Sequence, residues 1–140
     1  IGHNGIDLTL RNIYNFVDRG SIGKNSDDMS LSKTRAIKPD ENGWFELLGD
    51  AYKIDYNEII SVPKNMVGIS MPRSSLLRNG VTICTAIWDS GYRGRGESLL
   101  VVENRSGFRV QKDSRVVQIL FALCSEEAVK GYSGRYQNVM

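Results

Sequence analysis

Apolar and polar positions alternate with the two-residue period of half-buried strands over much of this chain, and turn residues interrupt them at short intervals. Gly5 to Leu10 (GIDLTL) reads as a first strand, with Asp7 on the opposite face from Ile6 and Leu8. Thr34 to Ile37, Trp44 to Leu48 and Ala51 to Ile54 are short strand candidates, separated by Pro39, Asn42-Gly43 and Gly49-Asp50. Ile59 to Val62 and Met66 to Met71 follow, punctuated by Pro63. Val81 to Trp88 is a continuous run rich in strand formers that fits a buried strand. It leads into a turn, Ser90 to Gly96, with three glycines around Tyr92, and Leu99 to Val102 form the return strand of a hairpin. Phe108 to Val110 and the strong strand Arg115 to Cys124 (RVVQILFALC) complete the set. So many short strands with closely spaced turn signals predict a mostly β sandwich or barrel.

Helical signals are few. Arg73-Ser74-Ser75 opens a short turn, Leu76 to Asn79, which Gly80 can end as a left-handed cap. Ser125 to Lys130 has a capping serine, two early glutamates, a late lysine and Gly131 as its stop, and predicts a short helix. Asp18 to Lys33 lacks periodicity and reads as a mobile loop or an insertion; its Asp27-Asp28 pair reads as solvated rather than cation-binding. The tail, 131–140, is too small to bury itself, so it either frays or closes over something.

Length and composition narrow the picture modestly. A chain of 140 residues, 41% hydrophobic and 24% charged, is expected to form one soluble domain, 1–140, with one core. The net charge of +2 offers no large basic field, so nucleic acid is not an expected partner. No apolar run approaches the ~20 residues of a membrane helix and no signal peptide is visible, so no membrane association is expected and the expected setting is cytoplasmic. The start at Ile1 leaves open a leader of unknown length. Cys84 and Cys124 lie in apolar strand-like runs and are expected to be buried free thiols. Two cysteines and a distant His3 lack the spacing of a structural zinc site.

The candidate chemistry gathers between Pro72 and Asn104. Asp89 ends an apolar strand beside glycines that would let a substrate approach the backbone, where a carboxylate can orient and deprotonate a water. Its commoner use is as a turn-initiating aspartate bonded to its own backbone. Tyr92 either lies flat under a sugar ring or is a half-exposed turn aromatic. The Arg-Ser-Ser turn offers N–H groups, two hydroxyls and a guanidinium to phosphate oxygens, or simply caps a helix. Gln118 interrupts an apolar strand, and its amide needs either a ligand or neighbouring backbone. Glu97 and Glu103 flank the return strand and read as solvated.

The order and spacing of these segments resemble the trimeric deoxyuridine triphosphatases and the related dCTP deaminases, over nearly the whole chain. NGIDL (Asn4 to Leu8), PRSSL (Pro72 to Leu76), AIWDSGYRG (Ala86 to Gly94) and SRVVQIL (Ser114 to Leu120) are similar to the first four motifs. GRYQ (Gly134 to Gln137) is similar to the closing tail of the deaminase-like branch. The resemblance implies a distorted, dUTPase-like jelly roll (a β-clip) with short helices, assembled as a homotrimer with active sites between subunits. It implies that Asp89 activates water against the α-phosphorus of dUTP, that Tyr92 packs on deoxyribose, and that Arg73, Ser74 and Ser75 hold phosphate oxygens. Gln118 would reach phosphate from another subunit, and Tyr136 and Gln137 would meet substrate from the tail, possible closing arm 131–140. Mg²⁺ would be carried mainly by the triphosphate, with no direct protein ligand.

The resemblance also separates hydrolase from deaminase. Deaminases of this kind use a glutamate three residues before the asparagine after the return strand, and counting back from Asn104 gives Val101. Arg78, which partners that glutamate in deaminases, is present, and Glu103 could serve only through a bulge. Many hydrolases read uracil with an asparagine six residues before the aspartate, where this chain has Ile83, so hairpin backbone would have to read the base. The expected activity is hydrolysis of dUTP to dUMP and pyrophosphate. The alternatives are dCTP deamination, alone or beside hydrolysis, and binding of a deoxynucleotide triphosphate without turnover.

Overall fold

A computed structural model describes residues 5–127 and 130–140. Its elements are β1 (Ile6–Phe16), β2 (Ser21–Ile22), β3 (Met29–Ser30), β4 (Thr34–Ala36), β5 (Trp44–Leu47), β6 (Ala51–Ser61), β7 (Met66–Pro72), α1 (Ser74–Leu77), β8 (Val81–Cys84), β9 (Arg93–Val102), β10 (Phe108–Gln111) and β11 (Arg115–Leu123). His3 and Asn4 lie outside the described residues.

The main sheet runs β7-β11-β1-β6-β9-β8, with β4 also paired to β1, and every pairing is antiparallel. Its two ends nearly meet: Gly68 of β7 and Trp88, just after β8, exchange main-chain hydrogen bonds of 2.9 and 3.0 Å. The result is a mostly β, near-closed barrel-like sheet, as the density of short strands predicts and in keeping with the jelly roll that the resemblance implies. Two short pairs, β10-β5 and β2-β3, sit beside it. Alternation puts Leu8, Leu10, Ile13, Ile54, Tyr56, Val117 and Ile119 inside, each at most 1% exposed.

The long strand β1 serves both halves of the sheet by bending at two irregularities, between Leu8 and Thr9 and between Leu10 and Asn12. Two carboxylates of β6 satisfy the freed donors. Glu58 accepts hydrogen bonds from the Thr9 N–H and hydroxyl, and Asp55 accepts from Asn12 N–H at 2.9 Å and Tyr14 O–H at 3.0 Å. Burial and Asp55 together push the Tyr14 phenol above its ordinary pKa.

Several expectations are corrected. The segments Ala51 to Ile54 and Ile59 to Val62 are one strand, β6, continued through a register shift between Asp55 and Ile59. Strand β8 stops at Cys84, and Trp88 contributes only the bridge to Gly68. Alternation turns Cys84 outward, so this thiol is exposed and Cys124 half-buried, both free. The segment expected to be a mobile loop carries the β2-β3 hairpin, tied by Gly23 N–H to Asp28 O at 2.6 Å. In the helix expected over Ser125 to Lys130, residues 128 and 129 lie outside the described residues, and the described ones are bends and coil. None of the described helices is long and apolar enough to cross a membrane.

Candidate functional site

The long connection from β8 to β9 carries Asp89 and Tyr92. It is anchored before it turns: the buried Trp88 donates its indole N–H to Ser70 Oγ at 3.0 Å, and Thr85 O–H donates to Ser70 O at 3.2 Å. The turn itself is closed by main chain, with Tyr92 N–H donating to Asp89 O at 3.0 Å. The Asp89 carboxylate is exposed and engages no side-chain or backbone donor among the described residues. The backbone-bonded use of this aspartate is therefore not realised; its oxygens are free for solvent or substrate.

The glycines of the turn also make room for the chain itself, while Gly96 lines the cavity described below. A methyl group on Gly91, whose φ is +82°, would come within 2.7 Å of Gly131 Cα, and one on Gly96 within 1.9 Å of the Trp88 ring. They make room for the chain's own tail and for Trp88. Tyr92 is not half-exposed: at 8% exposure it makes edge contacts with Trp88 (5.9 Å between centroids) and Tyr132 (5.5 Å). Burial first, then the neighbouring Tyr132 and Glu97, raise its phenol above the ordinary tyrosine pKa, and its O–H donates to Arg95 O at 3.3 Å.

Asp89, Tyr92 and Tyr136 line one cavity of about 1000 Å³. Three further contributions to it were not singled out from sequence. The β2-β3 hairpin and the end of β1 form one wall, through Phe16, Ile22 and Leu31. Tyr132 contributes from the tail. Glu97, expected to be solvated, lines the cavity from β9 while paired with Lys53 at 2.9 Å, and that ammonium sits 4.7 Å from the Tyr14 ring centroid. A polar position in an alternating strand signals one solvent-facing side, but not that this side faces a cleft.

The remaining predicted residues lie elsewhere. Arg73, Ser74, Ser75 and Gln118 do not line the cavity. Gln118 pairs across to Asp7 on one side and Met71 on the other, on the outward face of β1, β11 and β7. Asp7, only 11% exposed at its side chain, holds Arg73 Nη1 at 2.9 Å and Arg115 Nη1 at 3.6 Å. The Arg73 contact lacks hydrogen-bond alignment and leaves Asp7 Oδ1 buried without a donor. Arg73 forms the N-terminal boundary of α1, Arg78 Nη1 donates to Ser74 O at 3.1 Å, and Gly80 takes the expected left-handed φ of +71°. Gln137 sits against the turn rather than in the cavity, its amide bonded to backbone at both ends. Ile83 is 4% exposed in the core. Glu103 lies beyond β9, with its N–H bonded to Gly80 O at 3.0 Å, so no bulge brings it to the cavity.

A family model described as dCTP deaminase-like matches residues 1–124. The chain is 43% identical over 135 residues to a probable deoxyuridine 5'-triphosphate nucleotidohydrolase of Methanosarcina barkeri, covering 96% of this chain and 79% of that one. It is 38% identical over 133 residues to the protein of the same name from Aeropyrum pernix, covering 95% and 82%. Among solved structures it is similar to the 2'-deoxycytidine 5'-triphosphate deaminase of Agrobacterium tumefaciens, with a TM-score of 0.66 and 18% identity over 88% of this chain and 40% of that one. It is also similar to the native EIAV dUTPase, with a TM-score of 0.51 and 21% identity over 69% and 88%. At these identities the two structural likenesses speak to the fold alone.

Proposed function

The chain belongs to the dCTP deaminase-like family, and from that premise we propose that it hydrolyses dUTP to dUMP and pyrophosphate, as the names of its relatives indicate. The observation that carries the reading is the Asp89 carboxylate, exposed at the cavity with no partner among the described residues. A carboxylate free of its own turn can hold a water in line with a phosphorus and take its proton. In-line hydrolysis needs that alignment together with charge neutralisation, and no covalent intermediate. Tyr92 packs on the deoxyribose, and backbone of the turn reads uracil, because Ile83 is buried and out of reach.

The phosphates are held by Arg73, Ser74, Ser75 and Gln118 of a neighbouring copy in a homotrimer. Two features support this. Those residues lie apart from their own cavity, and Gln118 is surrounded by outward-facing Ile69, Met71 and Leu120, which are 38 to 63% exposed. A Mg²⁺ ion fits the donor set: Asp89 is unengaged and Glu97 is already paired, which suits an ion that keeps its waters and binds chiefly to substrate phosphates. When bound, it would neutralise charge on the phosphate oxygens.

The test is purified protein with dUTP or dCTP and Mg²⁺. Pyrophosphate and dUMP from dUTP are expected. Ammonia release from dCTP would favour the deaminase reading, for which Glu97 is the cavity carboxylate on the return strand. Binding without turnover at saturating dUTP would make the chain a nucleotide-binding homologue. Asp89→Asn should keep assembly and dUTP affinity while kcat falls by about 10²- to 10⁴-fold, the usual contribution of a positioned base.

A further inference from the structure

The tail folds back on the turn that carries Asp89 and Tyr92, and one side chain sits at the centre of the junction. Gln137 Oε1 accepts the Arg93 N–H at 2.8 Å, while Nε2 donates to Gly91 O at 3.1 Å and to Tyr132 O at 2.8 Å. Both hydrogens of the amide and its oxygen are thus used on main chain. Flanking bonds continue the seam: Tyr132 N–H to Ser90 O at 2.8 Å and Asn138 N–H to Arg93 O at 2.7 Å. Gly91 and Gly94 are the residues this approach requires, since a side chain on Gly91 would meet Gly131 and one on Gly94 would meet Val139 O at 2.9 Å. Gly91 O and Arg93 N bracket Tyr92, so the amide fixes the peptide planes on either side of that residue, two to four positions from Asp89.

We infer that Gln137 is a positioning residue: it does not bind substrate but holds the Asp89–Tyr92 turn in its working geometry by bonding Gly91 O and Arg93 N–H, the groups on the edge that the neighbouring Val62 backbone does not serve. Val62 serves only Gly91 N–H at 2.9 Å and Tyr92 O at 2.8 Å, so Gly91 O and Arg93 N–H must be satisfied in some other way, and water would do so without fixing the turn's shape. The carboxamide is the one side-chain group that can accept from one peptide and donate to two others at once. The effect on rate rests on the hydrolase reading above; the effect on the turn does not.

The experiment compares wild type with Gln137→Ala and Gln137→Glu, using Ser133→Ala on the exposed part of the tail as control. Gln137→Glu keeps the size and can still accept from Arg93 N–H, but cannot donate to Gly91 O and Tyr132 O while ionised. In both Gln137 variants kcat for dUTP should fall about 10- to 100-fold, the loss expected from a small misplacement of catalytic groups, with KM within about threefold of wild type. Hydrogen exchange at the Arg93 amide should quicken in Gln137→Ala and stay slow in Ser133→Ala. A rise in KM with kcat unchanged would make Gln137 a substrate ligand and overturn the inference, as would unchanged kcat with unchanged exchange at Arg93. If wild type itself does not hydrolyse dUTP, the functional reading fails, while the exchange result still decides the role of Gln137.

Discussion

Asp7 sits at the start of β1 as a nearly buried carboxylate on the outward face, and its company explains it. Two guanidiniums, from the residue before α1 and from the start of β11, converge on its oxygens, the nearer at 2.9 Å. Arg73 is itself 39% exposed at its side chain, so Asp7 does not consume the cation; it holds one side of the fork and leaves the rest facing out. Asp7 Oδ1 has no aligned donor, which makes the contact adjustable rather than locked. Asp7→Ala should therefore leave Arg73 charged but unaimed. With Arg73 acting on phosphate, KM for dUTP is expected to rise about tenfold, or ~1.4 kcal/mol of binding, with a smaller change in kcat. Steady-state kinetics at constant Mg²⁺ checks this, and a fall in KM would mean that Asp7 competes with the triphosphate for the arginine.

At the scale of elements, the alternation of GIDLTL, RVVQILFALC and the segment around Leu99 to Val102 was enough to find β1, β11 and β9, because strands with one buried face display their period in sequence. What could not be read were features decided by distant partners. Strand β6 continues past Asp55 because Glu58 and Asp55 serve the bulges of β1, and no local signal in YKIDYNEII announces that. The β2-β3 hairpin is polar and two residues long in each strand, below the reach of any period. The Asp89–Tyr92 segment was legible as a site from its order of residues. The glycines within it were read as openings for substrate, whereas Gly96 lies under Trp88. Gly96→Ala puts a methyl 1.9 Å from Trp88 Cη2, so the indole must leave its place and its bond to Ser70. Overpacking of this kind costs about 1–3 kcal/mol, and the loss of the buried hydrogen bond adds to it. Urea unfolding should show a lower midpoint with the slope unchanged, and a blue-shifted, unperturbed Trp88 emission would count against this role for Gly96.

For the whole molecule, the groups proposed to face substrate divide into two sets that one chain does not bring together. Asp89, Tyr92 and Tyr136 look into the cavity, while Arg73 and Gln118 lie on the outward face of β1, β11 and β7. If sites form between copies, an aspartate lost from one copy and an arginine lost from its neighbour damage different sites. Asp89→Asn and Arg73→Ala should each be nearly inactive at low dUTP, yet mixed trimers regain sites in which the good aspartate of one copy faces the good arginine of the next. With equal amounts and random exchange, about a quarter of the sites are intact, since each of two neighbours must be of the right type. Activity of the mixture should therefore reach about a quarter of wild type, while a mixture of Asp89→Asn with the Asp89→Asn/Arg73→Ala double variant gains nothing. Reassembly after mild denaturation, or coexpression with two tags and tandem purification, supplies the hybrids. A purified hybrid no more active than its parents would place both sets in one copy and would require the outward face to swing toward its own cavity, a movement the continuous β7-β11-β1-β6-β9 hydrogen bonding opposes.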